Sequence, residues 1–132
     1  MHSKTSMSLY WPVSLWIAFM AAASAGLSLI FACAAPLAAF GAVSGLTLSR
    51  RNALLATLGA WLANQAAGYG ALCYPVTDNS LAWGAVLGFS SILAMFAARW
   101  AGARYAAPVA VWAAAFSVAF IVYEAGLYIA AI

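Results

Sequence analysis

The chain has 132 residues, of which 68% are apolar and only 5% are charged, whereas an ordinary soluble domain carries about a quarter charged residues. Five basic and two acidic side chains cannot cover a globular surface with polar groups, but a lipid bilayer requires no such cover. The composition therefore excludes an ordinary soluble domain and predicts an integral membrane protein.

Apolar runs separated by short polar stretches predict an all-α bundle of about five transmembrane helices. A span needs about 20 mostly apolar residues. The chain is predicted to form one transmembrane domain over residues 1–132, with helices at roughly 9–33, 36–49, 52–74, 81–98 and 106–131. The four prolines favour these boundaries, because proline suits the first turn of a helix or the stop after it. An alternative break near Gly26 and Ser28 would lengthen the second helix at the expense of the first.

The basic residues predict the orientation of the chain, because short loops rich in Lys and Arg stay in the cytoplasm. Five spans place all basic residues on one side of the membrane: Lys4, Arg50, Arg51, Arg99 and Arg104. Asp78 falls on the other side. We therefore expect a multi-pass protein of a bacterial-type inner membrane, with the N-terminus in the cytoplasm and the C-terminus outside. The net charge of +3 then reflects topology and contact with anionic lipid headgroups rather than nucleic acid.

The third predicted helix contains the stretch WLANQAAGYGALCYP, which places Asn64 and Gln65 among apolar and small residues. A rise of 1.5 Å per residue predicts both amides near the bilayer midplane, where they must face protein, water or a bound solute. Helical spacing puts Gln65 on one stripe with Trp61, Gly68 and Tyr69. A second stripe is small throughout and allows close helix packing: Ala56, Ala60, Ala63, Ala67 and Gly70. The alternative is that the amides only hold helices together through interhelical hydrogen bonds.

The last predicted helix carries Glu124, one of two acidic residues. It stands about 12 Å before the helix end, within the outer hydrocarbon, and Ser117, Phe120 and Tyr128 share its face. An intramembrane carboxylate is by default a functional-site hypothesis. The alternatives are hydration at the interface or a packing network with the two amides. The predicted ligand site combines polar and aromatic residues of the outward half: Asn64, Gln65, Tyr69, Tyr74, Trp83, Glu124 and Tyr128.

The two cysteines, Cys33 and Cys73, end the first and third predicted helices at the outer surface. They are candidates for a disulfide or a thiolate ligand, with inert packing as the alternative. The single histidine, His2, lies in the N-terminal tail, so haem and most transition-metal sites lack their usual ligands. There is also no Gly-rich phosphate loop. We therefore expect no cofactor, no metal centre and no enzymatic activity.

Three functions are compatible with these features. The first is a solute-binding or transport component with an outward-facing aromatic and polar pocket. The chain resembles the vitamin-binding S components of energy-coupling transporters in its small size, sparse charge and Ala- and Gly-rich helices. The second is an accessory subunit of a larger membrane complex. The third is a homodimeric proton-coupled exchanger or channel that uses Glu124; small multidrug exchangers are similar in size and in their single membrane glutamate. The expected partners are lipid, a small molecule, and other membrane subunits or a second copy.

Overall fold

The computed structural model describes the backbone of residues 7–31 and 36–132, and the side chains of residues 13–26 and 36–132. The described residues form five α-helices and contain no strand, which confirms the all-α prediction. The helices are α1 (Met7–Phe31), α2 (Leu37–Thr47), α3 (Arg50–Ala66), α4 (Asp78–Gly102) and α5 (Pro108–Ala131), and α3 continues as a π-helical turn (Ala67–Ala71). His2, Lys4 and Cys33, together with most of the predicted break between the first two helices, lie outside the described residues.

Two helices, α4 and α5, are long and apolar enough to cross a membrane by length and composition. Their 25 and 24 residues correspond to about 36–38 Å, which exceeds the roughly 30 Å of a hydrocarbon core. Helix α2 differs, because its 11 residues extend only about 16 Å. The helix within the predicted second span, 36–49, is therefore shorter than the roughly 30 Å of a hydrocarbon core.

The helix starts have local causes in the sequence. Ser49 and Thr77 precede α3 and α4, and their hydroxyls accept hydrogen bonds from the backbone N–H groups of Asn52 and Ser80. These bonds satisfy donors that a helix N-terminus otherwise leaves unpaired. Helix α5 begins at Pro108, where the fixed φ of proline suits the first turn.

The short helix α2 lies at the centre of the bundle, where it packs on α3, α4 and α5. Its glycines set the distance to α4. A Cβ added at Gly41 would stand 3.1 Å from the carbonyl oxygen of Ser91, and one added at Gly45 would stand 2.7 Å from that of Met95. Because the obstacles are backbone atoms, a side chain at Gly45 would push α2 away from α4, and one at Gly41 would make an unusually tight contact.

Arg99 of α4 holds the end of α2. Its Nη1 atom donates to the carbonyl oxygens of Gly45 and Leu48, at 2.8 and 2.7 Å. Gly45 belongs to the last turn of α2 and Leu48 is its C-cap residue, and a helix C-terminus carries partial negative charge. The guanidinium therefore satisfies acceptors that the helix itself leaves unpaired.

The four described arginines gather at this end of the bundle. The guanidinium of Arg50 lies 5.3 Å from the ring centroid of Phe96, and that of Arg104 lies 3.8 Å from the ring centroid of Trp100. Arg51 follows Arg50 at the start of α3. Asp78, at the other end of α4, is separated from this group by the full length of the helix.

Candidate functional site

Helices α3 and α4 run antiparallel and meet through polar contacts. The indole Nε1 of Trp61 donates to the carbonyl oxygen of Gly84 at 2.8 Å. In the π-helical turn that continues α3, the hydroxyl of Tyr69 hydrogen-bonds that of Ser80 at 2.8 Å. Later residues of α3 thus meet earlier residues of α4, and the contact extends toward the end of α4 at which Asp78 lies.

Two glycines of α4 make room for the side chains that α3 points at them. A Cβ added at Gly84 would stand 2.5 Å from Oε1 of Gln65, and one added at Gly88 would stand 2.7 Å from Cε2 of Trp61. Gly84 and Gly88 are one helical turn apart, so they form a groove on α4. The amide and the indole occupy that groove side by side.

The π-helical turn after α3 shapes the outer part of the same region. Cys73 follows it with a φ of 52°, the only positive φ of a non-glycine residue in the described chain. This turns the backbone so that the Tyr74 N–H donates to the carbonyl oxygen of Gly68 at 3.1 Å. The Tyr74 ring then covers Gly68, where an added Cβ would stand 2.9 Å from Cδ2 of the ring. Single π turns in helices often mark functional sites.

Between α3, the π turn and α4 lies a cavity of about 190 Å³. Five of the seven predicted site residues line it: Asn64, Gln65, Tyr69, Tyr74 and Trp83. Helical spacing also places Gly68 and Leu72 on the stripe of Gln65, and both line the cavity. The sequence did not indicate the other lining residues: Ser80, Gly84 and Leu87. Only the glycine spacing and the polar start of the fourth helix could have pointed to them.

The two amides have different surroundings. Asn64 is buried, with 9% of its surface exposed, and it interacts with other residues. Gln65 is half-buried and borders the cavity. Within the described residues its amide makes no hydrogen bond. Gln65 can therefore offer both an amide N–H and a carbonyl oxygen to a molecule in the cavity.

The structure places Glu124 and Tyr128 elsewhere. Both are exposed on α5, Tyr128 by 70%, and neither lines the amide cavity. Glu124 borders a second cavity, of about 450 Å³, between α5 and the start of α2. Leu87 lines both cavities. The alternative of a packing network between Glu124 and the two amides has no support in this arrangement.

The depths of the polar groups also differ from expectation. Gly126 packs against Ser90, the middle residue of α4 (Asp78–Gly102). Glu124 therefore lies close to the level of the middle of α4 rather than near the Asp78 end of the bundle. Ile129 and Ala130, among the last residues of α5, line a cavity with Ala85, so α5 ends short of the start of α4. Conversely, Gln65 lies beside Gly84, about 9 Å from the start of α4, so the amides are nearer the Asp78 end than expected.

The remaining predicted candidates add little to the site. Cys73 is an exposed cysteine in the turn after α3, and its proposed partner Cys33 lies outside the described residues. Comparison with known proteins gives no match: no family model, no curated sequence and no solved structure matches this chain.

Proposed function

We propose that this chain is a solute-binding component of a membrane transport system, and that the cavity between α3 and α4 is its ligand site. The observation that carries the proposal is the convergence of Asn64, Gln65, Tyr69, Tyr74 and Trp83 on one cavity. In hydrocarbon these polar groups need partners, and aromatic walls with a few convergent polar groups are typical of small-molecule sites. The proposed activity is binding, without covalent chemistry.

The proposed topology follows from the arginines. Their common end faces the cytoplasm by the positive-inside rule, in a multi-pass arrangement in a bacterial-type inner membrane. The cavity contains Ser80, near the opposite end of α4, so it opens outward. Helices α1, α3 with its π turn, α4 and α5 are long enough to cross the bilayer, whereas α2 covers only the cytoplasmic half.

The lining favours a small neutral ligand. Its described residues provide amides, hydroxyls, aromatic rings and apolar groups, and none of them is charged, so an ion would lose its hydration without compensation from them. The free amide of Gln65 fits a ligand that presents a donor and an acceptor side by side, as a lactam or carboxamide does. The rings of Tyr69, Tyr74 and Trp83 favour a flat partner.

The test is a ligand screen on the purified protein in mild detergent. The panel contains small neutral heteroaromatic amides such as nicotinamide and thymine, each with a carboxylate analogue. Binding to the folded state raises thermal stability, so we expect a rise in Tm with neutral members only. Gln65→Ala should abolish the rise. The matched control, Asn52→Ala, removes an amide of the same helix at its arginine end and should preserve it.

Native mass spectrometry of the same preparation completes the test. A retained small molecule in wild-type protein that is absent from Gln65→Ala supports the proposal. If no neutral solute raises Tm and the protein instead co-purifies stoichiometrically with larger membrane subunits, the cavity is a packing feature and the proposal is wrong.

A further inference from the structure

The outer face of α5 carries two polar groups that the amide cavity does not use. Glu124 and Tyr128 are four residues apart, so they lie on one side of the helix. Both are exposed, and within the described part of the chain neither side chain makes a hydrogen bond or an ion pair. One offers a carboxyl acceptor and the other a phenol donor.

This pair lies at a depth where lipid would surround it. Glu124 is close to the level of Ser90, the middle of α4, and lipid offers no hydrogen bonds at that depth. The described arginines are at the far end of the bundle, so none of them reaches Glu124. A carboxyl group in hydrocarbon is costly, and a protein surface that covers it must therefore supply a donor at the same depth.

We propose that a second copy of this chain docks on the outer face of α5, and that Tyr128 of each copy donates to Glu124 of the other. A two-fold axis along the membrane normal requires the two α5 helices to lie at equal depth. Two copies inserted in the same direction meet this requirement. In such a two-fold interface, the contact between Tyr128 of one copy and Glu124 of the other occurs twice. Because helical side chains lean toward the N-terminus, the phenol of Tyr128 reaches back toward the level of Glu124.

The remainder of this face permits close approach. Ala113, Ser117 and Ala125 are exposed on the same side of α5, and small residues let helix backbones come near each other in a membrane. Phe120, which is 58% exposed, lies between Ser117 and Glu124 and offers a ring to pack against the partner helix. A cationic partner protein would satisfy Glu124 but leave the phenol donor of Tyr128 unused, whereas a second copy uses both groups.

The oligomeric state tests the proposal. In mild detergent, native mass spectrometry and analytical ultracentrifugation should show a dimer of the wild-type chain. Glu124→Leu and Tyr128→Phe should each weaken dimerisation at least about tenfold, whereas Glu124→Gln, whose amide oxygen still accepts from the phenol, should retain most of it. Tyr105→Phe is the matched control, because Tyr105 is an exposed phenol at the arginine end and should have no effect.

Cross-linking locates the interface. In a variant with Cys33 and Cys73 replaced by Ala, Ser117→Cys should form an intermolecular disulfide on oxidation, and adding Glu124→Leu should reduce its yield. The proposal is wrong if the wild-type chain is monomeric, or if neither Glu124→Leu nor Tyr128→Phe weakens the dimer. It is also wrong if Glu124 is needed only for a complex with a different membrane protein. These residues lie outside the amide cavity, so the result is independent of ligand binding there.

Discussion

Helices α2 and α5 are both almost entirely apolar, yet they occupy opposite environments. Seven of the 11 residues of α2 are buried: Leu37, Ala38, Phe40, Gly41, Ala42, Ser44 and Gly45. Only three of the 24 residues of α5 are buried: Ala115, Ala119 and Tyr123. Apolar composition therefore does not distinguish the inside of this bundle from its outside.

Residue size distinguishes them better. The exposed side of α5 carries the large rings Trp112, Phe116 and Phe120, whereas α2 presents glycines to the backbone of α4. Lipid tails are as apolar as leucine, so burial of large side chains does not drive helices together in a membrane, and close packing of small residues does. Under the membrane location proposed above, the difference between α2 and α5 follows this rule.

A matched pair of phenylalanines gives the largest expected contrast between the two helices. Phe40 of α2 is 8% exposed and Phe120 of α5 is 58% exposed. Phe40→Ala should leave a cavity at the centre of the bundle and destabilise the protein by about 3 kcal/mol. Phe120→Ala should change stability by less than about 0.5 kcal/mol. Unfolding in mixed micelles of increasing SDS content, followed by circular dichroism, measures both.

That measurement is made on monomer at high detergent-to-protein ratio, so that an interface at α5 does not contribute. Equal losses for the two variants would mean that α5 is covered within the monomer, and the contrast with α2 would disappear.

Overpacking at α2 should have the next largest effect. Gly45→Leu places a side chain against the Met95 backbone, which cannot move aside without separating α2 from α4. We expect a loss of about 1–3 kcal/mol in the same unfolding assay. Gly26→Leu on α1 is the control, because no atom lies within 4 Å of a Cβ added there. A loss at Gly26 equal to that at Gly45 would contradict close α2–α4 packing.

Local patterns in the sequence predicted much of this arrangement. Composition and run length predicted five helices, which the described residues form. Helical spacing placed Gln65 with Tyr69 on one face, and both residues line the cavity. The π turn and the positive φ of Cys73 were not predicted, because they depend on Tyr74 folding back over Gly68. These are contacts across a turn, and helical periodicity does not encode them.

Long-range packing explains the larger misses. Helix α2 lies between three other helices, and an apolar run in the sequence cannot reveal such a position. Likewise, Glu124 was placed with the amides because both lie in apolar segments. Whether a helix face points inward depends on its neighbours, and α5 turns Tyr123 inward but Glu124 outward.

The smallest expected effect concerns the one side-chain hydroxyl pair that joins α2 to α3 among the described residues. Ser44 Oγ lies 3.0 Å from Thr57 Oγ1 and also donates to the carbonyl oxygen of Gly41 at 3.1 Å. Either hydroxyl can be the donor of the pair; when Ser44 donates to Gly41, its single proton is used and Thr57 is the donor. A double-mutant cycle of Ser44→Ala and Thr57→Val should give a coupling free energy of about 0.6 kcal/mol, the usual value for such bonds in membranes. The control cycle combines Ser44→Ala with Thr47→Val and should give no coupling free energy, since the Thr47 hydroxyl donates to the carbonyl oxygen of Val43 in its own helix.

A coupling free energy near zero for both pairs would mean that glycine packing alone fixes the position of α2. A value well above about 1 kcal/mol for Ser44 and Thr57 would mean that their hydrogen bond is a main contribution to holding α2 on α3.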